Sequence, residues 1–350
     1  MRVRLLTCWL FCLVVANAAA CGSEESAKST ASGGATGTGG SGGSGGSSCG
    51  ASADAAMACV DQSRLQADVT FIAAPRPPKS GHWQAVQDLC ASRFEQYGFE
   101  VERQKYATGV NVIGKRAGLS QPAEQVIVSA HYDHIADCPG ADDNATGVAA
   151  VLETARVLEK AKLARTLVLA CWDEEEDGLI GAKAYAARAK SQGDTIVGMT
   201  SLEMIGYKSD APNTQSVPAG FDLLFADEYA KIEANDLRAD FVAIVSIDSA
   251  APLAKAFGAR AAAAGPPAVT LMLTQAQAAS PLLSDLSRSD HAAFWQQGYP
   301  ALMVTDTSNF RYAQYHCSAG DDVPSLLDFG FMTAVTRASV GAHLDVLGLL

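Results

Sequence analysis

The sequence has no surplus of basic charge, no zinc-finger spacing among its cysteines, no internal repeat and no apolar run of spanning length. Lys and Arg number 26 against 38 Asp and Glu, a formal charge of −12. An acidic surface of that kind argues against nucleic acid as a partner. The most apolar N-terminal run, Leu5 to Val15, falls short of the ~20 residues a membrane-spanning helix needs. The nine cysteines follow no metal-finger pattern, which leaves disulfides and free thiols. What is present is an ordinary globular composition, 48% hydrophobic and 18% charged.

Residues 1–20 read as an export signal. Arg2 and Arg4 supply the charged start, Leu5 to Val15 the apolar core, and Ala18-Ala19-Ala20 the small-residue cleavage site. Loss of the two arginines takes the charge from −12 to −14 (−12 − 2). Cys21 follows directly, which is where a lipoprotein is processed and anchored by lipid without spanning the bilayer. Ala18 stands where such sites usually carry a larger aliphatic residue, and ordinary cleavage at the same bond leaves a secreted or periplasmic chain. Residues 21–50 are rich in Gly and Ser, too polar to order themselves, and read as a flexible linker. The "GGSGG" within it matches the serine-hydrolase elbow in letters only, because no strand precedes it and no helix follows. Residues 51–350 suit one large domain. Of the cysteines left there and at its edge, Cys59–Cys90 is the expected disulfide, and Cys171, in an apolar strand, is expected as a buried free thiol.

Apolar strand-like runs occur at 126–130, 167–172, 242–247, 269–273 and 301–304, with "GVNVIGKRAG" as a strand and turn. Helical patterns alternate with them, at 147–160, 181–190 and 326–346. Residues 60–105 read as helical around the loop "APRPPKSG", and 250–265 as a surface helix. Alternation of this kind gives an α/β layered domain whose ligands gather at the carboxyl ends of strands.

The chemistry collects at those ends. "VIVSAHYDH" closes a buried strand on His131, Tyr132 and Asp133. In extended chain His131 and Asp133 point the same way, so the carboxylate can take one ring N–H and leave the other nitrogen for a metal. "PGADDN" puts Asp142, Asp143 and Asn144 before a helix, and capping explains one of the three. "TLVLACWDEEEDG" ends a second strand in Asp173, Glu174, Glu175, Glu176 and Asp177. Two strands ending in carboxylates suggest a shared cation, with one acid as ligand and its neighbour as proton acceptor. "MTSLEMIGY", with Glu203, and "SRSDHAAFWQQGYPALMV", with Asp290 and His291, complete the set. N/O donors of these types suit zinc.

In order and spacing, "SAHYDH", "PGADDNATGVAAVLE", "WDEEEDGLIGAKAYA", "LEMIGY" and "SDHAAFWQQGYPAL" resemble the co-catalytic dizinc exopeptidases of metallopeptidase family 28. The family includes leucyl-type aminopeptidases, glutamate carboxypeptidase and, as relatives, glutaminyl cyclases. The resemblance implies a three-layer α/β/α globule around a central mixed, mostly parallel sheet. It implies two zinc ions, one held by His131 and Glu203, the other by Glu176 and His291, bridged by Asp143. It further implies Asp133 orienting His131, Glu175 as general base, and a cis peptide at Asp143–Asn144. His134 is expected to border the pocket, Asp142, Glu174 and Asp177 to face solvent, and His316 to lie near the substrate pocket. Cys138 and Cys317 flank the expected site, and a bond between them is a further expectation. Glu203 departs from the Asp common in the aminopeptidases. The activity so implied is removal of N-terminal residues from peptides. Alternatives are a single-zinc glutaminyl cyclase, a carboxypeptidase for acidic dipeptides, and a binding protein that has lost its metals.

Overall fold

The computed structural model describes residues 49–350; the expected signal, Cys21 and most of the linker lie outside the described residues. Eight strands are present: β1 (Glu100–Lys105), β2 (Val110–Arg116), β3 (Gln121–His131), β4 (Arg165–Trp172), β5 (Thr195–Glu203), β6 (Val242–Ile247), β7 (Ala268–Leu273) and β8 (Ala301–Thr305). They form one sheet in the order β1-β2-β4-β3-β5-β8-β6-β7. The inner pairs β4/β3, β3/β5 and β5/β8 are parallel, as is β6/β7, whereas β1/β2, β2/β4 and β6/β8 are antiparallel. The helices are α1 (Ala53–Ala58), α2 (Gln62–Ile72), α3 (Gly81–Gln96), α4 (Gly147–Val157), α5 (Ile180–Gln192), α6 (Phe221–Leu224), α7 (Ala226–Ala234), α8 (Ala251–Ala264), α9 (Gln275–Ala278), α10 (His291–Gln296) and α11 (Phe329–Leu347).

Strand alternation sorts side chains onto two faces. Along β3, Val126, Val128 and Ala130 join one core with α2, α3, α4, α8 and α11, while Ile127 joins the other with α5, α7 and α10. The result is the expected three-layer α/β/α arrangement with a mixed sheet. Because β4, β3, β5 and β8 run in one direction, their carboxyl ends share one edge, with His131 beside Trp172 and Glu203 beside Thr305.

Two strands escape the sequence pattern. β1 reads EVERQK, an edge strand whose exposed charges discourage pairing with another chain, and its charge hides the strand signal. β5 carries Gly198 and several hydroxyl residues; a Cβ at Gly198 would stand 3.1 Å from Leu253, so the glycine lets α8 pack close. The expected surface helix at 250–265 is α8, and its Leu253, Ala254, Phe257 and Ala261 are buried.

The cysteines correct one expectation and bear out two. Cys59 pairs with Cys49, not with Cys90. Cys90 sits on the inner face of α3 as a buried free thiol next to Cys171. Cys171 is the buried thiol expected, and Cys138 is bonded to Cys317.

Candidate metal centre

Three parallel strand ends and two loops meet at one point. β3 delivers His131 and β5 delivers Glu203; the turn after β4 delivers Glu175 and Glu176; the loop after β3 delivers Asp143; and the loop after β8 delivers His316. His131 Nε2 lies 3.3 Å from Asp143 Oδ1 and 3.4 Å from Glu203 Oε2. His316 Nε2 lies 3.3 Å from Asp143 Oδ2 and 3.1 Å from Glu176 Oε2. Asp143 therefore turns one oxygen to each histidine. Donor atoms around a four-coordinate zinc, with bonds near 2.0–2.1 Å, stand roughly 3.3 Å apart. All four separations match that edge length.

Three of these donors lack other partners, whereas Glu203 Oε2 accepts from Ser289 Oγ at 2.8 Å. His131 Nε2, Asp143 Oδ1 and His316 Nε2 are buried without an aligned hydrogen bond. Leaving such atoms bare costs about 1–3 kcal/mol each, and imidazoles with carboxylates are a donor set that suits zinc.

The placement of His316 corrects the sequence reading. His291 joins neither cluster. Its Nε2 donates to the Leu286 carbonyl at 3.0 Å, its ring stands edge-on to Trp295 at 4.4 Å, and burial lowers its pKa to about 4. It is a core histidine on α10. Its neighbour Asp290 is fully buried with neither oxygen partnered, and burial holds its pKa well above the usual carboxylate range. His316 takes a left-handed φ of 51° inside an irregular loop, so no periodic signal marked it. The cues available were its adjacent Tyr315, which stacks on its ring at 3.9 Å, and Cys317. Burial opposes charge on His316, but Asp143 and Glu176 outweigh it and raise its pKa to about 10.

The loops are pinned by groups that carry no sequence signature. Asp322 accepts the backbone N–H of Asp142 at 3.0 Å and of Asp143 at 3.1 Å, together with the Tyr312 hydroxyl at 2.9 Å. With the Cys138–Cys317 bond, it ties the His316 loop to the Asp143 loop. The Asp143–Asn144 peptide is cis, as expected. Of the trio, Asn144 serves the helix start: its Oδ1 accepts the Gly147 N–H at 3.1 Å, while its Nδ2 donates to Leu202 O at 2.8 Å. A Cβ at Gly147 would come within 2.4 Å of Leu202 O, so only glycine lets α4 start this close to β5. Asp142 and Glu174, expected at the surface, are buried, whereas Asp177 is exposed as expected. Burial, and then the neighbouring Asp306, keep Asp142 well above the usual carboxylate range.

Asp133 does more than face His131. The ring Nδ1 meets the Asp133 backbone carbonyl at 3.2 Å, with side-chain Oδ1 at 3.5 Å. The carboxylate mainly accepts the backbone N–H of Glu175 at 3.0 Å and of Glu176 at 3.2 Å. It thus sets the turn that carries both acids. Glu175 falls with His131 and Glu203 in a group whose donor atoms lie within 4.8 Å of one another. It is nonetheless absent from the pairs within 4.0 Å of His131, which are Asp133, Asp143 and Glu203. Burial raises its pKa well above the usual range; Glu203, Asp290 and Glu176 add to this and His131 opposes it.

Beneath the loops lies Arg76, fully buried, from the "APRPPKSG" segment that reads only as a loop. Its Nε donates to Tyr132 O at 2.9 Å, Nη1 to Pro139 O at 2.7 Å, and Nη2 to Gly140 O and Asp143 O, both at 3.0 Å. One guanidinium thus fixes the backbone on both sides of the loop, and burial lowers its pKa. Arg76→Met leaves those carbonyls bare and removes the positive charge among the acids. Loss of such a buried charged partner costs about 3–5 kcal/mol, so the urea midpoint should fall markedly at unchanged slope. A shift worth less than 1 kcal/mol would mean that the loop holds itself.

A largely apolar cavity that opens to solvent adjoins the centre. Asp143, Glu175 and Glu203 form one wall, and Ile232, Phe241, Val245, Val269, Leu271 and Met303 line the interior.

Fold and site together define an α/β protein with a cluster of histidines and carboxylates at the carboxyl edge of its sheet. Residues 111–339 match the description "Peptidase family M28", and the chain belongs to that family. It is 31% identical over 202 residues to the uncharacterized protein YfbL of Escherichia coli, covering 55% of this chain and 58% of that protein. It is 26% identical over 238 residues to a probable leucine aminopeptidase of Arthroderma otae, covering 62% and 52%. The chain thus spans little more than half the length of these relatives. Among solved structures, LapB of Legionella pneumophila superposes with a TM-score of 0.65 at 16% identity, covering 85% of this chain and 75% of that one. A zinc aminopeptidase of Bacillus subtilis superposes with a TM-score of 0.62 at 12% identity, covering 82% and 96%. These two likenesses establish the fold.

Proposed function

We propose that the chain is a zinc-dependent aminopeptidase that binds two zinc ions and hydrolyses N-terminal residues from peptides. The observation that carries this is the Asp143 carboxylate, with Oδ1 turned to the His131–Glu203 pair and Oδ2 to the His316–Glu176 pair. His131, Glu203 and Asp143 hold one ion; His316, Glu176 and Asp143 hold the other. When bound, zinc polarises the scissile carbonyl and makes an attacking water acidic. Glu175, held just outside the donor set, takes the proton from that water and returns it to the leaving amine. Asp133 keeps Glu175 at that position through its backbone N–H. Acidic groups around the centre attract the free α-ammonium, and the apolar cavity takes the side chain of the residue removed. Its apolar lining supports a preference for large apolar residues over charged ones.

Hydrolysis of unblocked aminoacyl anilides tests the reading. Leucyl and phenylalanyl substrates should exceed aspartyl and lysyl ones by at least tenfold, N-acetylated substrates should not react, and a chelator should abolish turnover. Cyclisation of N-terminal glutamine with one zinc and no hydrolysis would favour the cyclase alternative instead.

Export is proposed on separate grounds. The segment from Arg2 to Cys21 has the signal pattern, and the Cys49–Cys59 and Cys138–Cys317 bonds fit an oxidising compartment.

A further inference from the structure

Glu176 has two oxygens, and only one faces His316. Oε2 lies 3.1 Å from His316 Nε2, whereas Oε1 lies 2.6 Å from His134 Nδ1. His134 is fully buried, three residues after His131.

The separations distinguish its role from that of a ligand. Donor atoms that share a zinc ion stand roughly 3.3 Å apart, and His131 and His316 obey that spacing. A charged nitrogen–carboxylate pair in direct contact is shorter, about 2.7–2.9 Å. The 2.6 Å contact of His134 belongs with the second group. Its position relative to Asp143 agrees: the nearest oxygen is Oδ1, at 4.0 Å, whereas His316 meets Oδ2 at 3.3 Å. His134 does lie with Asp143 and Glu176 in a group whose donor atoms fall within 4.8 Å of one another, and the short contact to Glu176 is what sets it apart from His316.

The ring is held there. Its backbone N–H donates to Arg76 O at 3.2 Å. Its Cδ2 occupies the space a side chain at residue 140 would need, because a Cβ on Gly140 would come within 2.4 Å of it. Its edge packs against His316 at 5.8 Å. Nδ1 and Oε1 face each other off the hydrogen-bond line, and neither has another aligned partner.

We propose that His134 is a positioning residue: Nδ1–H donates to Glu176 Oε1 and thereby presents Oε2 alone to the zinc beside His316. This rests on the two-zinc reading of the centre. An outer partner of this kind is worth about 10–100-fold in metal affinity, and its loss should be felt at one zinc and not at the other.

Competitive zinc titration against a chelating dye, on the full chain, reads this directly and without turnover. Wild type should show two binding steps. His134→Ala should weaken one step about 10–100-fold and leave the other within about twofold. His134→Asn, whose amide nitrogen stands close to the place of Nδ1, should restore most of the loss; this rescue also separates positioning from mere filling of space. Thermal unfolding of the zinc-free proteins identifies a variant that fails for want of folding, and the Asn variant then carries the test. Unchanged zinc binding in His134→Ala, or equal loss in both variants, would overturn the proposal. Complete loss of one zinc in both variants would make His134 a ligand and overturn it equally. A wild-type chain with fewer than two zinc ions would overturn the underlying two-zinc reading, an outcome seen before any variant is made.

Discussion

Glu175→Gln should bind zinc as the wild type does and lose about 10²–10⁴-fold in kcat, the usual worth of a positioned general base. The substitution keeps shape and volume, and the backbone N–H that anchors the residue to Asp133 is untouched. What changes is proton affinity. Burial, reinforced by Glu203, Asp290 and Glu176, raises the affinity of Glu175 for a proton, and an amide cannot accept one. KM should move little, because the cavity wall keeps its form. Steady-state kinetics with parallel zinc analysis decides the matter. Wild-type kcat in the variant would remove Glu175 from the chemistry. Loss of one zinc would instead make it a ligand, which its membership of the His131–Glu203 group makes a sharp alternative.

The second large effect separates two histidines that the sequence does not distinguish. His316→Ala should abolish stable binding of one zinc, a loss larger than the about 10–100-fold expected from an outer partner, with activity falling in step. His291→Ala should retain both zinc ions. It removes a buried ring packed on Trp295 and a bond to Leu286 O, so its cost is stability, about 2–4 kcal/mol for a cavity of that kind. Zinc content per chain after dialysis, alongside denaturant midpoints, tests both. Zinc loss in His291→Ala with retention in His316→Ala would restore the assignment read from the sequence and refute the geometry.

The reason for that misassignment is physical. His291 follows Ser289 and Asp290 at the start of a regular helix that leads into an apolar strand, whereas His131 and Glu203 close strands whose ends reach the centre. His316 lies in a loop with left-handed backbone at residues 316 and 317, held by a disulfide and by Asp322. Helical and strand periods are visible in a sequence because regular backbone repeats; a loop position fixed by partners far along the chain leaves no period. Arg76 is the extreme case. It meets Pro139, Gly140 and Asp143 across more than sixty positions, and locally it is one arginine among prolines.

The sequence by itself determined the layered α/β class, the strand ends that carry His131, Glu175 and Glu176, and the family motifs, that of Glu203 included, because each is written in a short continuous stretch. Only the tertiary structure decided which histidine completes the second cluster, that Cys59 pairs with Cys49, and that Asp142 is buried while Arg76 clamps the loop. Those outcomes depend on which segments the sheet brings side by side, and that is set by packing across the whole domain and not by neighbours in the chain.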